Sequence, residues 1–316
     1  MTVKTYERHV SSGDLIADRR YEFARDLAAR GDLGGARDLL AQALELAPHF
    51  AAAWFALGEI KSKAGDKDGA IAAFRAVCEA DPQDRHGAGL QLALLGAGDG
   101  AMPAGYVRVL FDQYAPDFDR ALGEGLGYRA PALLLAAIAA ACKDGRREMR
   151  FGAMLDLGCG TGLAGAAFRP HVDWLTGVDL SSGMIAQARA KGFYDRLIVG
   201  DIMQFLAAEA AARAQHHLVV AADVFAYFSD LAPIAAAVAR VLAPGGFFAF
   251  TTETDTETDD GAAANLRATL RYAHSAAHVR AAVEGAGLQL LALTAQSTRT
   301  EKGIAVPGLL AVARRG

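Results

Sequence analysis

Ala153-Met154-Leu155-Asp156-Leu157-Gly158-Cys159-Gly160-Thr161-Gly162-Leu163 is the stretch around which the remaining sequence can be ordered. A short apolar run ends in an acid and then in three glycines spaced by one residue, the pattern of a buried strand that breaks into a tight turn and opens a helix. Glycine tolerates positive φ and carries no Cβ, so such a turn brings backbone N–H groups close to a ligand at the carboxyl edge of a parallel sheet. The turn reads as a nucleotide-cofactor loop. A dinucleotide fold would prefer Gly-x-Gly-x-x-Gly, with a helix N-terminus aimed at a pyrophosphate. Here Asp156 stands just ahead of the loop, where a carboxylate would repel phosphate but could hold an ammonium, directly or through water.

S-adenosylmethionine has that ammonium and no phosphate. The octet Leu155-Asp156-Leu157-Gly158-Cys159-Gly160-Thr161-Gly162 resembles the first motif of the class I S-adenosylmethionine-dependent methyltransferases. The resemblance implies S-adenosyl-L-methionine as cofactor, with Asp156, Gly158, Cys159 and Gly160 around it. Leu175-Thr176-Gly177-Val178-Asp179-Leu180-Ser181 ends a second strand in an acid 23 positions after Asp156, and that carboxylate can accept both ribose hydroxyls. Leu180 and Met184 join the expected cofactor contacts, and Ser181 or Ser182 caps the helix that carries Met184, Ile185 and Ala188. After a third strand, Val199-Gly200-Asp201-Ile202 places Asp201 where the family's acid accepts from the adenine amino group, with Ile202 against the ring. A helix-capping role for Asp201 is compatible with that.

From Phe151 onward strand-like and helix-like stretches alternate, as a parallel α/β sheet requires. Strands are predicted near 153–157, 175–179, 196–199, 217–223, 246–252, 288–294 and 306–313. The last two have no helical pattern between them and should form an antiparallel hairpin. The expected fold class is α/β, a Rossmann-like seven-stranded methyltransferase sheet with an antiparallel last hairpin, preceded by a small all-α domain.

That all-α domain is repetitive. Gly31-Asp32, Gly35-Ala36, Glu45 and Pro48 recur 34 positions later as Gly65-Asp66, Gly69-Ala70, Glu79 and Pro82, and 34 is the tetratricopeptide period. Trp54, Leu57, Gly58, Ala70, Phe74 and Pro82 resemble the tetratricopeptide pattern, with Lys61 where an aromatic is usual and Arg20 and Ala24 replacing Trp and Gly in the first unit. Domains are expected at 1–100 and 101–316, with Gly96 to Pro103 as the linker and lid helices at about 104–142. Two repeats and a capping helix near Asp84 to Leu95 would bind a protein or peptide partner, mediate self-association, or only pack.

Val107 to Asp119 contains Phe111-Asp112-Gln113-Tyr114-Ala115-Pro116-Asp117-Phe118-Asp119, which resembles the lead-in of bacterial methyltransferases that also carry tetratricopeptide repeats. In that subgroup these helices form a lid over the cofactor, which makes Tyr114 the lid candidate. For the acceptor side, Asp223 at the end of the fourth strand, where it would also border the cofactor, Tyr227, Glu253 and His274 all fall near carboxyl ends of strands. The segment Tyr272-Ala273-His274-Ser275 leads into a helix capped by Ser275, so His274 is expected to face the crevice and take the acceptor's proton, with Asp223 and Tyr227 as further catalytic candidates. Asp255, Glu257, Asp259 and Asp260 read as a solvated acidic loop or a flap for a cationic acceptor. His216 and His217, at the opposite end of the fourth strand, read as exposed edge residues.

Composition sets the outer limits. With 316 residues and 53% hydrophobic content the chain can bury a sizeable core. A net charge of −4 with no basic block, and no Asn/Asp-Pro-Pro-aromatic tetrad at Asp223, leads us to expect no nucleic-acid partner. Cys78, Cys142 and Cys159 lack metal-ligand spacing, so neither a metal site nor a disulfide is expected. The longest apolar run, Ala130 to Cys142, is too short to span a bilayer and no leader-like stretch precedes Asp14, so a cytoplasmic protein with no membrane contact is expected. The function expected is methyl transfer to a small polar acceptor molecule; the alternative is a non-catalytic or protein-directed module that binds the cofactor and recruits a partner through the repeats.

Overall fold

The computed structural model describes residues 11–125, 127–255 and 264–316, so Glu257, Asp259 and Asp260 of the acidic run lie outside the described residues. The chain divides into two compact units, one reaching to Val107 and the other running from Arg108 to Gly316.

The first unit contains α1 (Leu15–Ala29), α2 (Leu33–Leu46), α3 (Ala51–Lys63), α4 (Lys67–Ala80) and the shorter α5 (Ala88–Leu94). The 34-residue period has a local cause. Gly31 and Gly65 turn out of the preceding helices at φ 88° and 79°, and the next residues, Asp32 and Asp66, cap α2 and α4 by accepting from the N–H of Gly35 and Gly69. A Cβ on Gly69 would stand 2.1 Å from the capping carboxylate, so the second glycine belongs to the cap. Between α3 and α4, a Cβ on Gly58 would meet the Phe74 ring at 2.6 Å, which is why a glycine faces the fully buried Phe74. α2 and α4 end one residue or two before Pro48 and Pro82, which cannot donate to a continuing helix.

The second unit begins within α6 (Ala104–Tyr114) and continues through α7 (Phe118–Arg120) and α8 (Ala130–Asp144). Strands and helices then alternate: β1 (Phe151–Leu157), α9 (Leu163–Phe168), β2 (Val172–Asp179), α10 (Ser182–Lys191), β3 (Arg196–Val199), α11 (Ile202–Ala211), β4 (His216–Ala221), α12 (Ala232–Val241) and β5 (Leu242–Glu253). There follow β6 (Ala264–Leu266), β7 (Tyr272–His274), α13 (Ala276–Gly285), β8 (Leu288–Ala295), β9 (Thr300–Glu301), β10 (Ile304–Ala305) and β11 (Gly308–Arg315). The main sheet has the order β3-β2-β1-β4-β5-β11-β8, with β11 antiparallel to both neighbours, as the sequence pattern predicts.

Side-chain alternation explains why the sheet is covered on both faces. Val219 and Ala221 pack with α11, α12 and α13, whereas Leu218 and Val220 pack with Leu134, Ile138 and Phe168 from α8 and α9. The consequence for function is topological. β1 lies between β2 and β4, so the strand order reverses beside it and opens a crevice outside the carboxyl ends, into which residues after β1, β2 and β4 project.

Two short hairpins were not anticipated. β6 pairs antiparallel with β7, β7 pairs with β5 through Ala273 and Glu253, and β9 pairs with β10 between β8 and β11. His216 also differs from expectation. It is 5% exposed and its Nε2 lies 3.1 Å from buried Glu209, because α11 carries that carboxylate back over the start of β4; His217 stays exposed. Among the described residues no helix is long and apolar enough to cross a membrane, and no group of three His, Cys, Asp or Glu side chains is arranged to hold a metal.

Candidate active site

Gly158, Gly160 and Gly162 all adopt positive φ, at 63°, 53° and 89°. Their surroundings differ. A Cβ would strike Val224 at 2.5 Å from Gly158 and the Tyr194 ring at 2.9 Å from Gly162, but from Gly160 it would have only the Phe118 ring within 4 Å, at 3.9 Å. Gly160 is therefore the open member of the loop, the place where backbone can meet a ligand. Its N–H donates to Asp179 Oδ2 at 2.9 Å, and Ser181 N–H donates to Asp179 Oδ1 at 2.8 Å. Asp179 thus joins the glycine loop to the end of β2. Burial raises its carboxyl above the usual range, against the pull of those backbone donors.

Asp156 is 1% exposed. The Tyr194 hydroxyl donates to its Oδ2 at 2.6 Å, while Oδ1 is buried with no partner among the described residues. Burial pushes this carboxyl up to about 7; the Tyr194 hydrogen bond opposes the rise and the charge of Asp179 adds to it. Tyr194 carries no motif signal. It follows α10, and its ring is packed so closely that Cβ atoms on Gly165 and Gly177 would fall 2.4 Å and 2.7 Å from it. Cys159 is buried, its thiol pushed well up by burial and by the neighbouring acids Asp156 and Asp179, so it is inert as a nucleophile at neutral pH.

Along the remaining cofactor candidates, Ser181 caps α10 through Met184 N–H, Met184 is fully buried, and Leu180 is half-buried beside Asp179. Asp201 caps α11 through Gln204 N–H at 2.9 Å, with Ile202 9% exposed behind it.

The lid segment is fastened by its two motif acids. Asp112 Oδ1 accepts from Ser181 Oγ at 2.6 Å and from Gly183 N–H at 2.9 Å, which sets α6 on the N-terminus of α10. Asp119 accepts from the Thr161 hydroxyl in the glycine loop and pairs with Lys191 at 2.5 Å. Tyr114 is 9% exposed at the end of α6, and the Phe111 ring meets the Tyr227 ring edge-on at 5.3 Å. The motif words therefore matter through Asp112 and Asp119 as well as through their aromatics.

On the β4 and β5 side, Asp223 has φ 56° and accepts from Thr251 Oγ1 at 2.8 Å and from Thr298 Oγ1 at 2.9 Å and 3.0 Å. Arg299 lies 3.4 Å from Asp223 and 2.5 Å from Glu253, and both Arg299 and Glu253 are buried. Arg271 reaches Glu253 at 3.4 Å, Glu301 at 3.1 Å and, through Nε, the Tyr227 hydroxyl at 3.3 Å. Burial would lower the pKa of Arg271, but Tyr227, Glu253 and Glu301 outweigh it and hold the guanidinium charged; for Arg299, burial and Arg271 are outweighed by Glu253 and Asp223. Asp223, Tyr227 and Glu253 are thus brought together, by two arginines to which sequence reasoning assigned no role.

His274 is not part of that group. It belongs to β7, is 0% exposed, and its Nε2 donates to the Phe225 carbonyl at 3.0 Å, so it does not face the crevice. Burial pushes its pKa down to about 4, leaving a neutral ring. The expectation fails because Tyr272 to His274 form a strand under the sheet edge and not a loop. Ser275 does cap α13.

Comparisons with known proteins agree with this anatomy. Residues 155–250 match the family described as "Methyltransferase domain", and residues 21–85 match the one described as "Tetratricopeptide repeat". The chain therefore carries a methyltransferase domain and tetratricopeptide repeats. Methyltransferase-like protein 27 of Homo sapiens is 41% identical over 88 residues, 28% of this chain and 34% of that protein. A malonyl-[acyl-carrier protein] O-methyltransferase of Serratia marcescens is 33% identical over 99 residues, 31% of this chain and 37% of that protein. The chain thus spans about a third of the length of the curated relatives it matches. The crystal structure of an S-adenosylmethionine-dependent methyltransferase from Clostridium acetobutylicum superposes with a TM-score of 0.48 at 18% identity, covering 66% of this chain and 99% of that one. The matched segment 155–250 contains the glycine loop, Asp179, Asp201 and Asp223, whereas Arg271 and Arg299 lie beyond it.

Proposed function

We propose that the Arg108–Gly316 unit is an S-adenosylmethionine-dependent methyltransferase acting on a small polar molecule, and that the repeats recruit a partner protein or a second copy. The observation that carries the reading is the buried, unpartnered Oδ1 of Asp156 beside a glycine loop whose one open member is Gly160. An orphaned carboxylate oxygen is costly to bury and fits an ammonium or a water that bridges to one. The other residues fit the rest of the same molecule: Asp179 for the ribose hydroxyls, Asp201 for the adenine amino group, Ile202 and Leu180 for apolar contact, and Tyr114 on the lid.

S-adenosylmethionine, when bound, supplies a methyl group whose sulfonium already activates it for displacement by an acceptor lone pair. The protein's part is then orientation, exclusion of water and a place for any proton the acceptor releases. Asp112 and Asp119 hold the lid across the loop and α10, which excludes water. Asp223 and Tyr227, set by Arg299 and Arg271, form the acceptor wall.

The test is turnover by the full chain with methyl-labelled donor and a fractionated metabolite pool. Label appearing in a small acceptor, with S-adenosylhomocysteine formed in equal amount, supports the reading. Donor binding with no transfer to any fraction would favour a scaffold that recruits partners through the repeats.

A further inference from the structure

Tyr128 belongs to no motif and lies outside the segment that matches the methyltransferase family, yet the fold aims it at the crevice. Its backbone is pinned on both sides. Tyr128 N–H donates to Leu122 O at 3.3 Å; the next residue, Arg129, donates through N–H to Thr298 O at 2.7 Å and through its guanidinium to Ser297 O at 3.0 Å. Thr298 and Arg299, the neighbours of that anchor, are the residues whose side chains hold Asp223. The half-buried Tyr128 phenol interacts electrostatically with Asp223, Asp156 and Arg299. Asp156 ends β1, Asp223 follows β4, and those strands are paired with Asp156 opposite Val220, so a phenol that senses both carboxylates stands over the point where the strand order reverses.

We propose that Tyr128 contacts the methyl group in transit, with its oxygen between the donor side marked by Asp156 and the acceptor side marked by Asp223 and Arg299. This rests on the methyltransferase reading above. Burial and the two carboxylates push the phenol well above its ordinary range, with Arg299 opposing them, so it stays protonated and is no base. A neutral phenol oxygen keeps a lone pair for polarised methyl hydrogens while its O–H is free to donate to the acceptor. In the transfer itself the acceptor lone pair forms the new bond to carbon and the carbon–sulfur pair stays on sulfur. Tyr128 changes no bond and gives up no proton. Its contribution is to align the methyl group between the two reactants.

The methyl group distinguishes S-adenosylmethionine from S-adenosylhomocysteine, so calorimetry with these two ligands tests the contact without knowledge of the acceptor. On the full chain, Tyr128→Phe should weaken S-adenosylmethionine by about threefold or more and leave S-adenosylhomocysteine unchanged, the size expected for loss of a C–H···O contact. In the parental protein labelled at tyrosine Cζ, the resonance missing from Tyr128→Phe should move on addition of S-adenosylmethionine and move less with S-adenosylhomocysteine. Equal losses for both ligands, or no change for either with a static Tyr128 resonance, would overturn the assignment. Failure of the parental protein to bind either ligand would overturn the donor reading itself.

Discussion

The Tyr194 hydroxyl donates to Asp156 Oδ2 at 2.6 Å, joining the segment after α10 to the end of β1 and leaving the second carboxylate oxygen buried without a partner. The hydrogen bond stabilises the charged form that burial opposes. Replacing Tyr194 by Phe keeps the ring that packs against Gly165 and Gly177 and removes only the donor. We expect a loss of about 1–3 kcal/mol of stability above pH 8, where Asp156 is ionised, and a smaller loss at pH 5. Urea unfolding at the two pH values measures it. Equal losses at both would mean that the bond does not report on the charge of Asp156.

Asp156 also sets a pH dependence of its own. Its carboxyl titrates at about 7 in the folded unit, against 3.8 for the ordinary group, so between those values the folded state holds a proton that the unfolded chain has released. Stability should therefore fall as pH rises from about 4 to about 7 and level off above. Asp156→Asn should flatten that slope in the same unfolding series. A slope retained in the variant would place the titrating group elsewhere.

Arg299 holds the acceptor side together from a buried position between Glu253 and Asp223. Arg299→Met leaves Glu253 with only the longer contacts to Arg271 and Arg267, at 3.4 Å and 3.9 Å. Removing one partner of a buried pair costs about 3–5 kcal/mol, and Glu253→Gln on that background should recover part of it. Thermal unfolding of the single and double variants tests this. A single variant as stable as the parent would show that Glu253 is solvated.

His274 gives the opposite pH sign. Its ring titrates near 4 when folded and at 6.5 ordinarily, so the unfolded chain takes up a proton first and stability falls as pH drops from about 6.5 to about 4. His274→Gln should reduce that decline. In the parent, the ring nitrogens observed by NMR should remain in the neutral form at pH 6. A ring that protonates at its ordinary value would show that it reaches solvent.

These contrasts show which features were legible. The loop from Asp156 to Gly162, the acid Asp179, the strand order and the 34-residue repeat are each local or periodic, and all can be read in the amino-acid order. The helix cap at Asp32 and its copy at Asp66 are of that kind. Tyr194, Arg271 and Arg299 act on partners 38, 18 and 46 positions away, at spacings set by the folded path and not by a period. His274 was misjudged because β6 and β7 are three residues each, too short for alternation to separate a strand from a loop. Asp112 and Asp119 stood in quoted words, but their roles depend on where α10 and Thr161 fall in space.

The central claim is that the glycine loop and Asp179 form the binding site for S-adenosylmethionine. Titration calorimetry of S-adenosylhomocysteine into the full chain and into Asp179→Ala tests it most directly. The account predicts one site in the parent and an affinity weakened by roughly 2–4 kcal/mol in the variant, the loss expected for two charge-assisted hydrogen bonds. Unchanged affinity in a folded Asp179→Ala, or no binding by the parent, would contradict it.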